Sequence, residues 1–188
     1  MKSKIFTPRF VFITIAILLA AISRVLPHPS NFTPIAAMAL FGGACFADKR
    51  IAFIIPLLAM AISDLLLEFI AGIGWHNTLL YVYASFILIT CIGIYIRHNA
   101  KAGNIILASL VSSMLFFVIT NGGVWAASGF QFGLNGLATA LLAGIPFYNN
   151  EFFGSFFLNT VMGDLFFSGI LFGSLYFAQA RFPALARA

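Results

Sequence analysis

At 188 residues the chain is 62% hydrophobic and only 8% charged, with a net charge of +5. A soluble domain carries about 25% charged residues, so a water-facing surface cannot be assembled from this composition. An all-α integral membrane protein is expected, and its positive charges flank apolar spans without forming a stripe, which points to membrane lipids and away from nucleic acid.

A helix needs about 20 apolar residues to cross the hydrocarbon core. Lys2, Lys4 and Arg9 lead into a first span, Arg9 to Leu26. It is read as uncleaved, because it is long for a signal sequence and Arg24 with Pro27 is a poor cleavage context. The chain exits through Pro27-His28-Pro29-Ser30-Asn31. A second span, Thr33 to Phe46, opens with Thr33 as N-cap and Pro34 at the first helical position. At about 21 Å it is short. The third span runs Ile51 to Ala71 and ends in Gly72-Ile73-Gly74-Trp75-His76-Asn77. The fourth runs Thr78 to Ile96, and the fifth runs Asn104 to Thr120, stopping at Asn121-Gly122-Gly123. A long connector follows, Val124 to Asn150, and its apolar piece from Leu137 to Ile145 is too short to cross. The last span runs Phe152 to Ala178.

Nine of the ten basic residues lie in alternating breaks: Lys2, Lys4 and Arg9; Lys49 and Arg50; Arg97 and Lys101; Arg181 and Arg187. Positive charge is retained on the cytoplasmic side. The pattern therefore predicts a compact bundle of about six transmembrane helices in one domain. Both termini are cytoplasmic, and a long outer loop joins the fifth and sixth spans.

Three acids fall inside spans: Asp64, Glu68 and Asp164. Buried charges in a membrane face a partner or a cavity, and Arg24 is the nearest candidate cation for Asp64 or Glu68. The outer breaks supply His28, Asn31, Thr33, His76, Asn121, Trp125, Tyr148, Asn149 and, a little way into the last span, Asn159. Aromatic walls with a few amides and hydroxyls are what a pocket for a small organic molecule requires. Together with Asp64, Glu68 and Asp164 these residues form the expected substrate-binding set.

Small residues permit close helix approach in lipid. Ala16 with Ala20 and Gly169 with Gly173 have that spacing, as does Ala39 with Gly43. These pairs serve either internal packing or docking onto a partner protein. No G-x-x-x-x-G-K-[ST], H-E-x-x-H or G-x-S-x-G occurs, and Cys45 and Cys91 lack a metal-ligand spacing. Nothing in the sequence implies a cofactor or a bound metal.

The stretch from Leu26 through Pro27-His28-Pro29-Ser30-Asn31-Phe32-Thr33-Pro34 to Gly42-Gly43 resembles an uncharacterised bacterial membrane family classed with transport proteins. Thr120-Asn121, Gly123-Val124-Trp125, Ile145-Pro146-Phe147, Asn159-Thr160 and Gly163-Asp164-Leu165-Phe166 carry the same resemblance. That family is similar in size and topology to the S-components of energy-coupling factor (ECF) transporters. The resemblance implies a non-enzymatic, membrane-embedded subunit that binds a vitamin-like nutrient near the outer face. It also implies that the small-residue face of the first helix, here Ala16 and Ala20, docks onto a transmembrane coupling subunit energised by ATPases in trans. Two alternatives stand beside it. One is a membrane enzyme acting on a lipid or isoprenoid headgroup, with His28, His76 and Asp64 or Glu68 as acid–base groups. The other is a non-catalytic assembly subunit.

Overall fold

In a computed structural model, which describes residues 6–145 and 155–186, every regular element is helical. The helices are α1 (Pro8–Ser23), α2 (Ile35–Cys45), α3 (Lys49–Ala71), α4 (Leu79–Ile96), α5 (Ala102–Ala127), α6 (Gly133–Ala143) and α7 (Phe156–Arg181), followed by one 3-10 turn, Pro183–Leu185. Four of them, α3, α4, α5 and α7, are long and apolar enough to cross a membrane. The protein is thus a multi-pass helical membrane protein by the length and composition of its helices.

Local chemistry sets most helix starts. Thr7 caps α1, its hydroxyl accepting the Phe10 N–H at 3.1 Å, and Pro8 stands at the first helical position. Asp48 caps α3 through Arg50 N–H at 2.7 Å, and Gly72 closes that helix in the left-handed conformation at φ +65°. Ser155 caps α7 and also donates to the Ile145 carbonyl at 2.8 Å, which ties α7 to the segment following α6.

Several boundaries differ from the sequence expectation by a few residues, α6 starts four residues earlier at Gly133, and three of the differences have a visible cause. The second helix begins one residue later than expected: Pro34, not Thr33, holds the cap position and offers no side-chain acceptor. The fifth helix does not stop at Thr120 but continues through Gly122 and Gly123 to Ala127. Glycine weakens a helix by about 1 kcal/mol relative to alanine, but Gly123 is where the Tyr81 side chain packs against α5, and a Cβ there would collide with it. The first helix ends at Ser23, and Arg24 to Leu26 continue in tighter i to i−3 turns.

Every residue of α2 is buried. This helix is apolar on all sides and occupies the middle of the bundle, packed against α1, α3, α4, α5 and α7. Its most extensive contact is with α4, where Gly43 and Gly93 bring the two backbones together; a Cβ on either would strike the facing main chain. Gly42 admits the ring of Pro56 from α3, and Phe41 meets Phe172 of α7 edge-on at 5.1 Å.

The bundle has two chemically different ends. At one, Arg97 at the end of α4 donates to Phe46 O at 2.7 Å, Gly43 O at 3.1 Å and Ala47 O at 3.3 Å, capping the last carbonyls of α2. Arg9 donates to Leu185 O at 2.9 Å and Phe10 packs on Phe46 at the same end. At the other end the Asn159 amide reaches Ser30 O at 2.8 Å. The helices α1 to α5 and α7 run alternately between these ends. The short helix α6 buries none of its residues and packs beside the last turns of α5.

A candidate site beneath the non-basic end

Two buried polar clusters lie in the half of the bundle away from the basic end. In the first, Arg24, just past α1, meets Asp64 of α3: Nη1 stands 2.7 Å from Oδ1, and both side chains are 8% exposed. The same nitrogen contacts Ser63 Oγ and lies 3.2 Å from Met60 Sδ. Tyr83 of α4 donates its hydroxyl to the other carboxylate oxygen of Asp64 at 2.8 Å. Both Asp64 oxygens are therefore taken by protein donors, and three helices are fastened together. Burying an ion pair away from water requires this degree of satisfaction.

Glu68, one turn further along α3, does not share the cluster. Its carboxylate accepts the Trp75 N–H at 3.0 Å and folds the Gly72–Trp75 turn back over the helix end. Of the two pairings open for Arg24, the structure forms the one with Asp64.

The second cluster centres on Asp164 of α7. Its carboxylate accepts the Ser113 hydroxyl at 2.7 Å and the backbone N–H groups of Ala36 and Ala37. Asp164 thereby supplies in trans the cap that Pro34 cannot give, placing negative charge at the positive end of the α2 dipole. Below it, Ser109 and Ser168 approach to 3.4 Å, and the Ser112 hydroxyl is buried without a partner among the described residues.

The remaining expected site residues are distributed around the rim. His28 is exposed, with its ring nitrogens 2.9 Å from Pro29 O and 3.2 Å from Arg24 O. Asn31 is exposed and left-handed at φ 64°, a conformation asparagine tolerates well; Thr33 is half-buried beside it. Asn159 is fully buried and bridges α7 to this loop. Gly163 lets the Phe32–Thr33 backbone lie directly on α7. Across the rim, His76 pairs with Thr78 at 2.9 Å. Asn121 turns back onto Phe117 O at 2.8 Å, and the Trp125 indole donates to Gln131 O at 3.2 Å. Tyr148 and Asn149 lie outside the described residues. Among the described residues no three His, Cys, Asp or Glu side chains converge as metal ligands would.

The expected substrate set therefore divides into buried fasteners, namely Asp64, Asp164 and Asn159, and rim groups, namely His28, Asn31, Thr33, His76, Asn121 and Trp125. Over residues 4–185 the sequence matches DUF6580, a family of unknown function. The chain belongs to this family. No curated protein and no solved structure gives a significant match.

In this DUF6580 protein the small-residue pairs also separate. Ala16 and Ala20 line an apolar groove of about 430 Å³ between α1 and α7. Gly169 and Gly173 do not mediate internal packing: a Cβ on either would meet nothing within 4 Å. They border a larger groove of about 960 Å³ between α5 and α7, at the basic end. Of the three pairs, Ala39 with Gly43 lies inside the bundle, Ala39 fully buried and Gly43 against the α4 backbone, and Gly42, Gly93, Gly123 and Gly163 supply further close approaches. Gly93 and Gly163 are isolated glycines in apolar helices, and no small-xxx-small spacing marks them. Tyr83, Ser63 and Ser113 were likewise not singled out by the sequence; a hydroxyl on an otherwise apolar helix face is the only signal they give.

Proposed function

We propose that this DUF6580 protein is a membrane-embedded substrate-binding subunit for uptake of a small, vitamin-like nutrient, comparable to an ECF S-component and energised by partner subunits. In this reading six helices cross the inner membrane, both termini and the basic end face the cytoplasm, and α6 lies within a long outer loop. The reading is carried by one observation: the two buried carboxylates, Asp64 and Asp164, and the Arg24 guanidinium lie in the non-basic half of the bundle, under loops rich in amides and aromatics. Intramembrane ionisable groups mark ligand paths, and here they brace the floor beneath the rim groups. The apolar groove containing Ala16 and Ala20 gives a coupling subunit a place to pack against α1.

The test is a thermal-shift screen of purified protein against vitamins and their precursors, joined to mass spectrometry of co-purified small molecules. The expected result is one chemical class that raises the melting temperature, with the shift lost in Trp125→Ala and Asn121→Ala. Ala16→Leu should keep that shift and lose co-purification with a coupling subunit. A well-folded protein that shows no shift across the panel and carries no small molecule would overturn the proposal.

A further inference from the structure

We propose that the groove between α5 and α7 at the basic end is a binding site for one anionic phospholipid of the adjoining leaflet. The groove has a volume of about 960 Å³. Its basic end is lined by the exposed Lys101 with His98, by Arg9, which also holds Leu185 O, and by Arg97, buried on the carbonyls at the end of α2; no acidic side chain lines it among the described residues. Its walls are hydrocarbon: Ile105 and Ile106 on α5, with Leu165, Phe172 and Leu175 on α7. Gly169 and Gly173 leave a trough along α7, because space where their side chains would stand is open. The surface grades from cationic rim to apolar trough as a phospholipid grades from phosphate to acyl chain. Basic pockets between transmembrane helices bind anionic headgroups on this electrostatic ground.

The extent of the groove selects a lipid over a partner helix. On α5 it runs from Lys101 to Ser109, about 12 Å, and on α7 from Gln179 to Leu165, about 21 Å. One leaflet is about 15 Å deep in hydrocarbon and about 20–22 Å deep with its headgroup region. A partner helix crossing the whole membrane would need a matching stripe along all of α7, and the groove stops partway, at Leu165. Free phosphate would use the mouth and leave the apolar trough empty. The mouth lies at the opposite end of the bundle from the rim groups and involves none of them, while the inner end of the groove reaches Ser109 and Ser168 below the Asp164 cluster.

The test uses the full chain in detergent and in nanodiscs, with dioleoyl-phosphatidylglycerol, dioleoyl-phosphatidylcholine and inorganic phosphate as probes. Native mass spectrometry should show phosphatidylglycerol retained at least about tenfold over phosphatidylcholine. Gly173→Leu should fill the trough and abolish that retention. Gly122→Leu, at a second glycine facing open space, should leave it unchanged. Lys101→Gln, at an exposed position, should weaken retention without touching the fold. Equal retention of the two lipids would overturn the proposal, as would undiminished phosphatidylglycerol in both Gly173→Leu and Lys101→Gln. So would competition by inorganic phosphate alone, which would mark a free-anion site. A membrane protein that co-purifies and is displaced by Gly173→Leu would make the groove a protein interface instead.

Discussion

Replacing Asp64 by asparagine removes one charge from the Arg24 cluster and changes almost no volume. The two charged groups stand 2.7 Å apart and are 8% exposed. At an effective dielectric constant of about 20, that separation gives an attraction of about 6 kcal/mol. Not all of it is lost, because the asparagine carbonyl still accepts one hydrogen bond and Ser63 and Met60 still face the guanidinium. Breaking a buried pair typically costs about 3–5 kcal/mol, since the remaining charge is stranded. The lower end applies here, so Asp64→Asn should destabilise the protein by about 3 kcal/mol, equivalent to a melting temperature lower by roughly 6–12 °C for a chain of this size. The double variant Arg24→Met, Asp64→Leu removes both charges and should return to within about 1 kcal/mol of the parent. Tyr83→Phe should cost only about 1 kcal/mol, the value of one hydrogen bond. Thermal unfolding of the detergent-solubilised protein reads all three variants against the parent. An Asp64→Asn protein melting within about 2 °C of the parent would refute the reasoning. A double variant less stable than the single one would refute it equally.

Other outcomes follow from the same geometry. Gly43→Ala and Gly93→Ala should each destabilise by about 1–3 kcal/mol, because the α2–α4 backbones must separate, while Gly122→Ala should be neutral or stabilising; unfolding curves distinguish them. Asp164→Leu strips the cap from α2 and should cost about 2 kcal/mol, with Asp164→Asn retaining part of it. Single cysteines at Lys49 and Asn77, both exposed, should label from opposite sides in a chain lacking Cys45 and Cys91. Labelling of Asn77→Cys from outside and of Lys49→Cys only after the membrane is opened is the expected pattern, and the reverse would invert the orientation.

The helices long enough to cross a membrane were legible because their composition alone required them: α3, α4, α5 and α7 are long, predominantly apolar runs. The short α2 was legible for a different reason, the basic clusters on either side of the chain, since its own length gives no clear crossing. What the sequence hid was partnership. Asp164 and Pro34 lie far apart in the chain, and only the fold shows that one supplies the cap the other lacks. Gly122-Gly123 carries the composition of a helix stop, and the Tyr81 ring overrides that local preference. The Gly169 and Gly173 spacing has the form of a helix contact, yet spacing cannot tell whether a facing helix is present. Arg24 could reach Asp64 or Glu68 by register alone, and the turn closed by Trp75 decides between them.

The burial of α2 on every side also constrains how the protein is made. Eleven residues span only about 16 Å, too little to hold a segment across a bilayer unaided. The helix presents no polar face that would keep it at the interface, and its main contact surface belongs to α4, which is synthesised later. During biogenesis α2 must therefore wait, held between α1 and the basic start of α3, until α4 emerges and Gly93 can close on Gly43. Ribosome-bound chains released before α4 should leave α2 open to protease or cysteine reagents, and chains long enough to include α4 should protect it.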